Sequence, residues 1–148
     1  MTQLITKTIQ PVAELACLRS GPTILMFSSD ASLMSLAERV AAYGWKLERC
    51  DDILNARGWL SRPQLALVIL DDEGIEEQLR GWLLTRIQAY APQAPLIYVA
   101  GDHSDSREKR ARAYAASYYT SKPVDAESFS RVLGSFVRKA DSSQSAGR

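Results

Sequence analysis

The stretch LALVILDDEG, residues 65–74, decides the fold. Its first six residues are all apolar, and an uninterrupted apolar run predicts a strand buried on both faces, as in the centre of a parallel sheet. Asp71, Asp72, Glu73 and Gly74 then end the run abruptly. The sequence therefore predicts a covered parallel sheet with acidic side chains at the carboxyl end of its central strand.

Similar units lie on both sides of this strand. Short apolar or aromatic runs that end at polar residues predict four further strands, at 23–27, 45–50, 96–100 and 117–121. Between the strands, apolar residues recur at helical spacing, as with Leu33, Leu36 and Val40, and predict five helices. Five strands alternating with five helices indicate a doubly wound α/β fold, a five-stranded parallel sheet with helices on both faces.

The 148 residues are predicted to form one domain with short extensions. Residues 22–140 are assigned to the domain, because Gly21 and Pro22 break the chain just before the first strand. Residues 1–21 are predicted to be an N-terminal extension, either flexible or a short helix. Residues 141–148 are small and polar, and we expect a disordered tail there.

Composition and charge exclude several classes of protein. The 18 basic and 17 acidic residues nearly cancel, so no overall field attracts nucleic acid, and no recognition motif is visible. Cys17 and Cys50 lack the spacing of a metal site or a disulfide framework, and His103 is the single histidine. No signal peptide and no apolar run of roughly 18 residues is present, so we expect a cytoplasmic protein without membrane contact.

Polar segments follow four of the predicted strands. In an open parallel α/β sheet, ligands bind outside the carboxyl ends of the strands. We therefore expect a functional site where these four segments meet, namely Ser28-Ser29-Asp30, Asp71-Asp72-Glu73, Ala100-Gly101-Asp102 and Lys122-Pro123.

Three runs of sequence resemble the receiver domains of two-component response regulators, over about residues 22–140. They are ILMFSSDASL at 24–33, PLIYVAG at 95–101 and YYTSKP at 118–123, in the order and separation of that family. The resemblance implies a flavodoxin-like or CheY-like sheet of order 2-1-3-4-5. It also implies a site in which an acidic pair after strand one holds magnesium and an aspartate after strand three accepts a phosphoryl group. A Thr or Ser after strand four and a Lys after strand five bind the phosphoryl oxygens.

This chain departs from that pattern at several positions. Ser28 and Ser29 stand where the family has its acidic pair, and Asp30 follows at a position that does not bind metal in the family. Ala100 replaces the hydroxyl residue after strand four, and Lys122 alone matches fully. Because magnesium in proteins is held by one or two carboxylates with waters, the two serines should weaken its binding greatly. The resemblance therefore implies a partly dismantled active site.

The position of the phosphoacceptor is open between two residues. Asp71 directly follows the apolar run and is favoured slightly, whereas counting back without gaps from the third helix favours Asp72. Lys122 is expected to pair with one of these carboxylates, an ion pair that would be structural here. The family often has a cis bond before the following proline, which is Pro123 in this chain.

The resemblance also implies a signalling surface built from helix four, strand five and helix five. In this chain the surface combines cations with aromatic rings, as protein interfaces often do. The alternative is that the cations form an ordinary solvated helix face. The residues predicted for this surface are Arg107, Arg110, Arg112, Tyr114, Tyr118 and Tyr119.

The sequence thus predicts an atypical receiver-like signalling domain that is not an enzyme and needs no cofactor. It would act by protein–protein interaction or homodimerisation, with weak or no aspartate phosphorylation. Its expected partners are signalling proteins, such as a histidine kinase or an output domain. One alternative is a working phosphoacceptor with Mg²⁺ at Asp30 and Asp71. Another is a binder of small anions at the hydroxyl-rich turn of Ser28, Ser29 and Ser32.

Overall fold

The computed structural model describes residues 21–41 and 44–146. The predicted N-terminal extension therefore lies outside the described residues, except for Gly21. The strands of the described chain are β1 (Thr23–Phe27), β2 (Lys46–Arg49), β3 (Leu65–Asp71), β4 (Leu96–Ala100) and β5 (Tyr118–Ser121). Its helices are α1 (Ala31–Ala41), α2 (Ala56–Leu60), α3 (Glu77–Tyr90), α4 (Asp105–Ala113) and α5 (Ala126–Ala146), with a 3₁₀ turn at Ile53–Asn55 before α2.

The strands form one parallel sheet of order β2-β1-β3-β4-β5. This order and the alternation with helices confirm the predicted doubly wound α/β fold. Because every strand runs in the same direction, the polar segments that follow β1, β3, β4 and β5 all emerge at one edge of the sheet. The chain order alone therefore brings the four predicted site segments together.

The sheet separates two apolar clusters. Successive residues of a strand point to opposite faces, so Leu70 packs on the side of α2, α3 and α4, and Ile69 packs on the side of α1 and α5. Burial of β3 is nearly complete on both sides, as its apolar run predicts. This double burial fixes the strand that carries Asp71 and Asp72.

The last helix differs from the prediction. α5 continues to Ala146 and so enters the segment 141–148, which was assigned to a disordered tail. From Val137 to Ala146 the sequence has no glycine or proline that would end a helix, and this corrects the predicted boundary. None of the helices in the described chain is long and apolar enough to cross a lipid bilayer.

Candidate functional site

Lys122 lies at the centre of the site. Its Nζ is 2.8 Å from Asp30 Oδ2 and 2.9 Å from Asp71 Oδ2, and it also contacts Glu73 Oε2. The Lys122 side chain is only 15 % exposed, and that of Asp71 is 3 % exposed. These four residues, Asp30, Asp71, Glu73 and Lys122, are called the lysine pocket below. One ammonium group is thus shared by three carboxylates, from the end of β3 and from the segments that follow β1 and β3.

Ser28 fills the side of the lysine pocket nearest β1. Its Oγ donates a hydrogen bond of 2.7 Å to Asp71 Oδ2 and accepts one of 3.0 Å from the backbone N–H of Asp30. The other oxygen of Asp71 accepts a hydrogen bond of 3.1 Å from the backbone N–H of Glu73. Both oxygens of Asp71 are therefore engaged within the protein. Ser29 is exposed and lies at the rim.

Asp30 both caps α1 and binds Lys122. Its Oδ1 accepts hydrogen bonds from the backbone N–H groups of Ser32 at 2.8 Å and Leu33 at 3.4 Å. The hydrogen bond with Lys122 lowers the pKa of Asp30, burial acts in the opposite direction, and the two backbone N–H groups lower it further. The contact between Asp30 and Lys122 was not predicted from the sequence.

The charge of Lys122 is strongly favoured in the fold. Burial alone would lower the pKa of its ammonium, but the hydrogen bonds with Asp30, Asp71 and Glu73 outweigh burial and raise the pKa above the ordinary lysine value. Lys122 therefore acts as a fixed positive charge inside the pocket. The peptide bond from Lys122 to Pro123 is cis, as the resemblance implied.

Asp72 points away from the lysine pocket. Its side chain is fully buried, its Oδ2 accepts a hydrogen bond from Tyr98 Oη, and its Oδ1 accepts one of 2.7 Å from the backbone N–H of Gly101. Arg107 Nη1 lies 3.5 Å from Oδ1 and Arg80 Nε lies 4.0 Å from Oδ2. These five residues are called the Asp72 cluster. Of the two candidate acceptors, Asp71 is the one that faces Lys122.

Tyr98 joins the Asp72 cluster to β5. Its burial, and then its hydrogen bond to the Asp72 carboxylate, raise its pKa well above the ordinary tyrosine value, so the hydroxyl stays protonated and donates. The ring stacks on Tyr119 with a centroid distance of 5.8 Å. Tyr119 Oη in turn lies 3.0 Å from His103 Nδ1. The predicted aromatic residue of β5 is therefore held from both sides.

Ala100 and Gly101 close the site on the β4 side. Ala100 is fully buried, and its methyl group offers no hydrogen bond where the family has a hydroxyl. A Cβ on Gly101 would lie 2.9 Å from Cβ of Glu73 and 3.1 Å from its Cα, so glycine is needed for the two loops to approach. This contact helps to place Glu73 against Lys122.

The six residues predicted for the signalling surface differ in their contacts. Arg110 and Tyr114 turn toward α3, where Arg110 lies 3.7 Å from Glu77 and Tyr114 Oη accepts a hydrogen bond of 3.4 Å from Thr85. Arg112 pairs with Glu108 of its own helix at 2.9 Å.

The other three residues of that predicted surface are partly buried. Arg107 and Tyr119 belong to the surroundings of Asp72. Tyr118 packs on the opposite face of the sheet, beside α1 and α5. Arg110 and Tyr114 are thus the two of the six that contact α3.

The roles of Glu73, Arg80 and Tyr98 were not predicted from the sequence. Tyr98 carried a usable signal, because it is the one side chain in the buried strand LIYVA that has a hydroxyl group, and a buried hydroxyl needs a partner. Glu73 and Arg80 have no comparable feature in the sequence that indicates their partners. Their contacts depend on how two loops and a helix start are folded, which residue types do not specify.

A magnesium ion does not fit the lysine pocket as it is arranged. Asp30, Asp71 and Glu73 each offer a carboxylate oxygen, all within 4.8 Å of one another, and carboxylates are ligands that Mg²⁺ uses in proteins. However, Lys122 Nζ contacts one oxygen of each of these residues. The ammonium group therefore both engages the ligand atoms and repels a second cation.

Comparison with solved structures identifies the fold. A response regulator from Thermotoga maritima has a TM-score of 0.67 at 15 % identity, covering 80 % of this chain and 98 % of its own. The non-phosphorylated receiver domain of HemR from Leptospira biflexa has a TM-score of 0.65 at 23 % identity, covering 78 % and 94 %. An orphan response regulator of H. pylori gives 0.65 at 13 % identity, covering 79 % and 97 %. No family model and no curated protein sequence matches. The chain thus has the fold of response-regulator receiver domains.

Proposed function

We propose that this chain is an atypical receiver-like signalling domain that acts by protein–protein interaction or dimerisation, with weak or no phosphorylation of Asp71. The observation that carries the proposal is the position of Lys122, whose ammonium group lies between the carboxylates of Asp30, Asp71 and Glu73. In this arrangement the charge that a divalent cation would supply comes from the protein itself.

Three features of the site support the proposal. Phosphoryl transfer relies on positioning and on cations that neutralise the developing charge, and the ligand atoms for such a cation are engaged by Lys122. Ser28 hydrogen-bonds the Asp71 oxygen that faces the pocket. Ala100 has no hydroxyl to bind a phosphoryl oxygen. Each of the three features disfavours a phosphorylation cycle, and none of them affects a binding role.

The proposed partners are proteins of a signalling pathway. A histidine kinase, an output domain or a second copy of this chain would fit the fold, with the cytoplasm as the proposed location. In this proposal the domain is not an enzyme and needs no cofactor. These points rest on the resemblance to receiver domains and on the sequence analysis.

A working phosphoacceptor is the second candidate. It is favoured by the three pocket carboxylates, whose oxygens lie close enough to bind one cation, and it requires Lys122 to move off at least two of them. Asp71 would be the acceptor, because Asp72 is buried among other partners. A small-anion site at Ser28, Ser29 and Ser32 is disfavoured, since Asp30 already caps this helix N-terminus and carboxylates surround it.

Amide NMR with magnesium and beryllofluoride, a phosphoryl mimic, separates the two candidates. We expect no saturable shift at Asp71, Ala100 or Lys122 of the wild-type chain at millimolar magnesium. A Lys122→Met variant, whose three carboxylates lack their ammonium, is the matched control and should bind magnesium. Saturable wild-type shifts would contradict the proposal and favour the phosphoacceptor.

Sedimentation equilibrium tests the proposed dimer. The double charge reversal Arg110→Glu with Arg112→Glu should reduce a dimer to monomer if α4 lies in the interface. Arg39→Glu, an exposed arginine of α1 on the other side of the sheet, is the control. An unchanged mass for the double variant removes α4 from the proposed interface.

A further inference from the structure

The outer face of α3 carries an alternation of aromatic rings and arginines. Trp82, Arg86 and Tyr90 are four residues apart, so they lie along one side of the helix. The guanidinium carbon of Arg86 lies 5.0 Å from the centre of the Trp82 ring, and that of Arg57 on α2 lies 5.3 Å from the centre of the Tyr90 ring. All three α3 side chains are partly exposed. Stacking holds the two arginines in place while their in-plane N–H groups remain able to donate.

A groove separates this side of α3 from α4. It is lined by Gly81, Trp82 and Arg86 of α3 and by Arg110 and Tyr114 from the end of α4, and it is called the α3–α4 groove below. Gly81 leaves the floor open, because a Cβ there would meet only Arg110 Nη1, at 4.0 Å. Aromatic residues and arginine are the side chains that contribute most to binding energy at protein interfaces.

The Asp72 cluster fixes the two walls of the groove relative to each other. Arg80 extends from α3 and Arg107 from α4, and both approach the same buried carboxylate, Asp72. Arg80 also donates to the backbone oxygen of Ile75, and Arg107 to that of Asp102. The groove therefore has a defined shape that does not depend on a phosphoryl group, and a preformed site loses less entropy on binding.

The charge of this surface identifies the kind of partner. Two arginines and one glutamate line the groove, namely Arg86, Arg110 and the exposed Glu77. Among residues 21–41 and 44–139, Arg86 has no carboxylate within ion-pair distance, and Arg110 has only Glu77, at 3.7 Å. The whole chain carries a net charge of only +1, so this is a local excess of positive charge. An arginine covers one face of each of the Trp82 and Tyr90 rings, and that face is closed to stacking bases, which disfavours nucleic acid.

We propose that the α3–α4 groove is a preformed docking site for an acidic segment of a partner protein. Arg86 and Arg110 bind its carboxylates, and Trp82 and Tyr114 contact its apolar side chains. This inference rests on the proposed function as an interaction domain, and it moves the binding surface from the predicted α4–β5–α5 side to the α3–α4 side.

NMR titration of the full chain tests the proposal. The probe is a synthetic eight-residue peptide that alternates Glu with Leu, and the matched peptide has Gln in place of Glu. We expect the indole N–H signal of Trp82 to shift saturably below about 1 mM Glu peptide. The signal of the buried Trp45 should stay in place, and the Gln peptide should bind at least tenfold more weakly. An eight-residue oligothymidine is the nucleic-acid probe.

Variants assign the binding to the arginines. Arg86→Glu should weaken Glu-peptide binding at least tenfold, Arg86→Lys should weaken it less, and Arg39→Glu on α1 should leave it unchanged. Any one of four results would overturn the proposal. They are an unshifted Trp82 signal, equal affinity for the Glu and Gln peptides, tighter binding of oligothymidine than of the Glu peptide, and a loss of affinity in Arg39→Glu equal to that in Arg86→Glu. If the Glu peptide does not bind and the lysine pocket does not bind magnesium, only the groove proposal is rejected. If the lysine pocket binds magnesium and beryllofluoride, the proposed function is rejected.

Discussion

Lys122 is the side chain whose removal should affect the lysine pocket most. The variant Lys122→Met keeps the length and the apolar stem but leaves Asp30, Asp71 and Glu73 without their shared counter-ion. Breaking a fully buried ion pair costs about 3–5 kcal/mol. Since Glu73 is largely exposed, we expect the free energy of unfolding at pH 7 to fall by about 1–3 kcal/mol. Urea denaturation measures this change.

The control for this prediction is Lys109→Met on α4. Lys109 is exposed, and within the described part of the chain it makes no ion pair. Surface substitutions of this kind usually change stability by no more than about 0.5 kcal/mol. If both variants lost the same stability, the three contacts of Lys122 would contribute nothing measurable.

The pocket also predicts how stability depends on pH. The pKa of Asp30 is lowered in the fold from 3.8, so its stabilising contribution is present above that pH and is lost as pH falls through the folded-state pKa. The pKa of Lys122 is raised from 10.5, so its contribution is complete below that pH and is lost as pH rises through the folded-state pKa.

Asp30→Asn isolates the acid side of this dependence. Asparagine caps a helix about as well as aspartate, so the variant removes the negative charge and keeps the side-chain oxygen that accepts the capping hydrogen bonds. We expect the free energy of unfolding, measured in urea from about pH 2 to pH 7, to fall less steeply below pH 4 than in the wild type. Parallel curves for the two proteins would mean that Asp30 gains nothing from Lys122.

Asp72 and Tyr98 should be energetically coupled. Asp72→Asn removes the charge that faces two arginines, and we expect a loss of about 1–3 kcal/mol, whereas Tyr98→Phe removes one hydroxyl and should cost about 1 kcal/mol. Because the residues share a buried hydrogen bond, the double variant should deviate from the sum by at least about 0.5 kcal/mol. Asp102→Asn, at an exposed position next to Gly101, is the control. Strict additivity of the Asp72 and Tyr98 variants would count against the hydrogen bond between these two residues.

At the scale of elements, two glycines should respond oppositely to alanine. Gly81 lies inside α3 and a Cβ there meets nothing closer than 4.0 Å, so Gly81→Ala should stabilise the chain by about 0.5–1 kcal/mol through helix propensity. Gly101→Ala would place its Cβ 2.9 Å from Cβ of Glu73 and should destabilise by about 1–3 kcal/mol. Thermal unfolding compares the two, and a loss of stability in Gly81→Ala would show that the α3–α4 groove is more tightly packed than described.

The elements were predictable to different degrees. Residues 65–70 specify β3 because a strand buried on both faces needs a continuous apolar run, and the strand ends then place Ser28, Asp71 and Lys122 at one edge. Because successive side chains of a strand point to opposite faces of the sheet, only one of Asp71 and Asp72 can face Lys122. This alternation does not say which one.

The remaining contacts depend on loop conformation. Glu73 reaches Lys122 because Gly101 lets two loops approach, and this is a contact between segments far apart in the sequence. The end of α5 was misplaced because a polar composition does not by itself end a helix. Where a contact depends on the conformation of a loop, residue type and spacing give no geometry.

At the scale of the whole molecule, the groove and the phosphoacceptor position are connected through one residue. Asp72 follows Asp71 directly and binds arginines from both α3 and α4. We therefore expect Asp72→Asn to weaken Glu-peptide binding to the α3–α4 groove severalfold, without contacting the peptide, as measured by the same NMR titration. Unchanged affinity would mean that the groove keeps its shape without this connection.

The lysine pocket also has a consequence for encounter rates. Three carboxylates against one ammonium group leave this edge of the sheet with an excess of negative charge. A small anionic phosphodonor such as acetyl phosphate would be repelled as it approaches, over a distance of about 10 Å at 0.1 M ionic strength. Any residual transfer to Asp71 should therefore become faster when salt is added, the reverse of the behaviour of a site that attracts its substrate by charge.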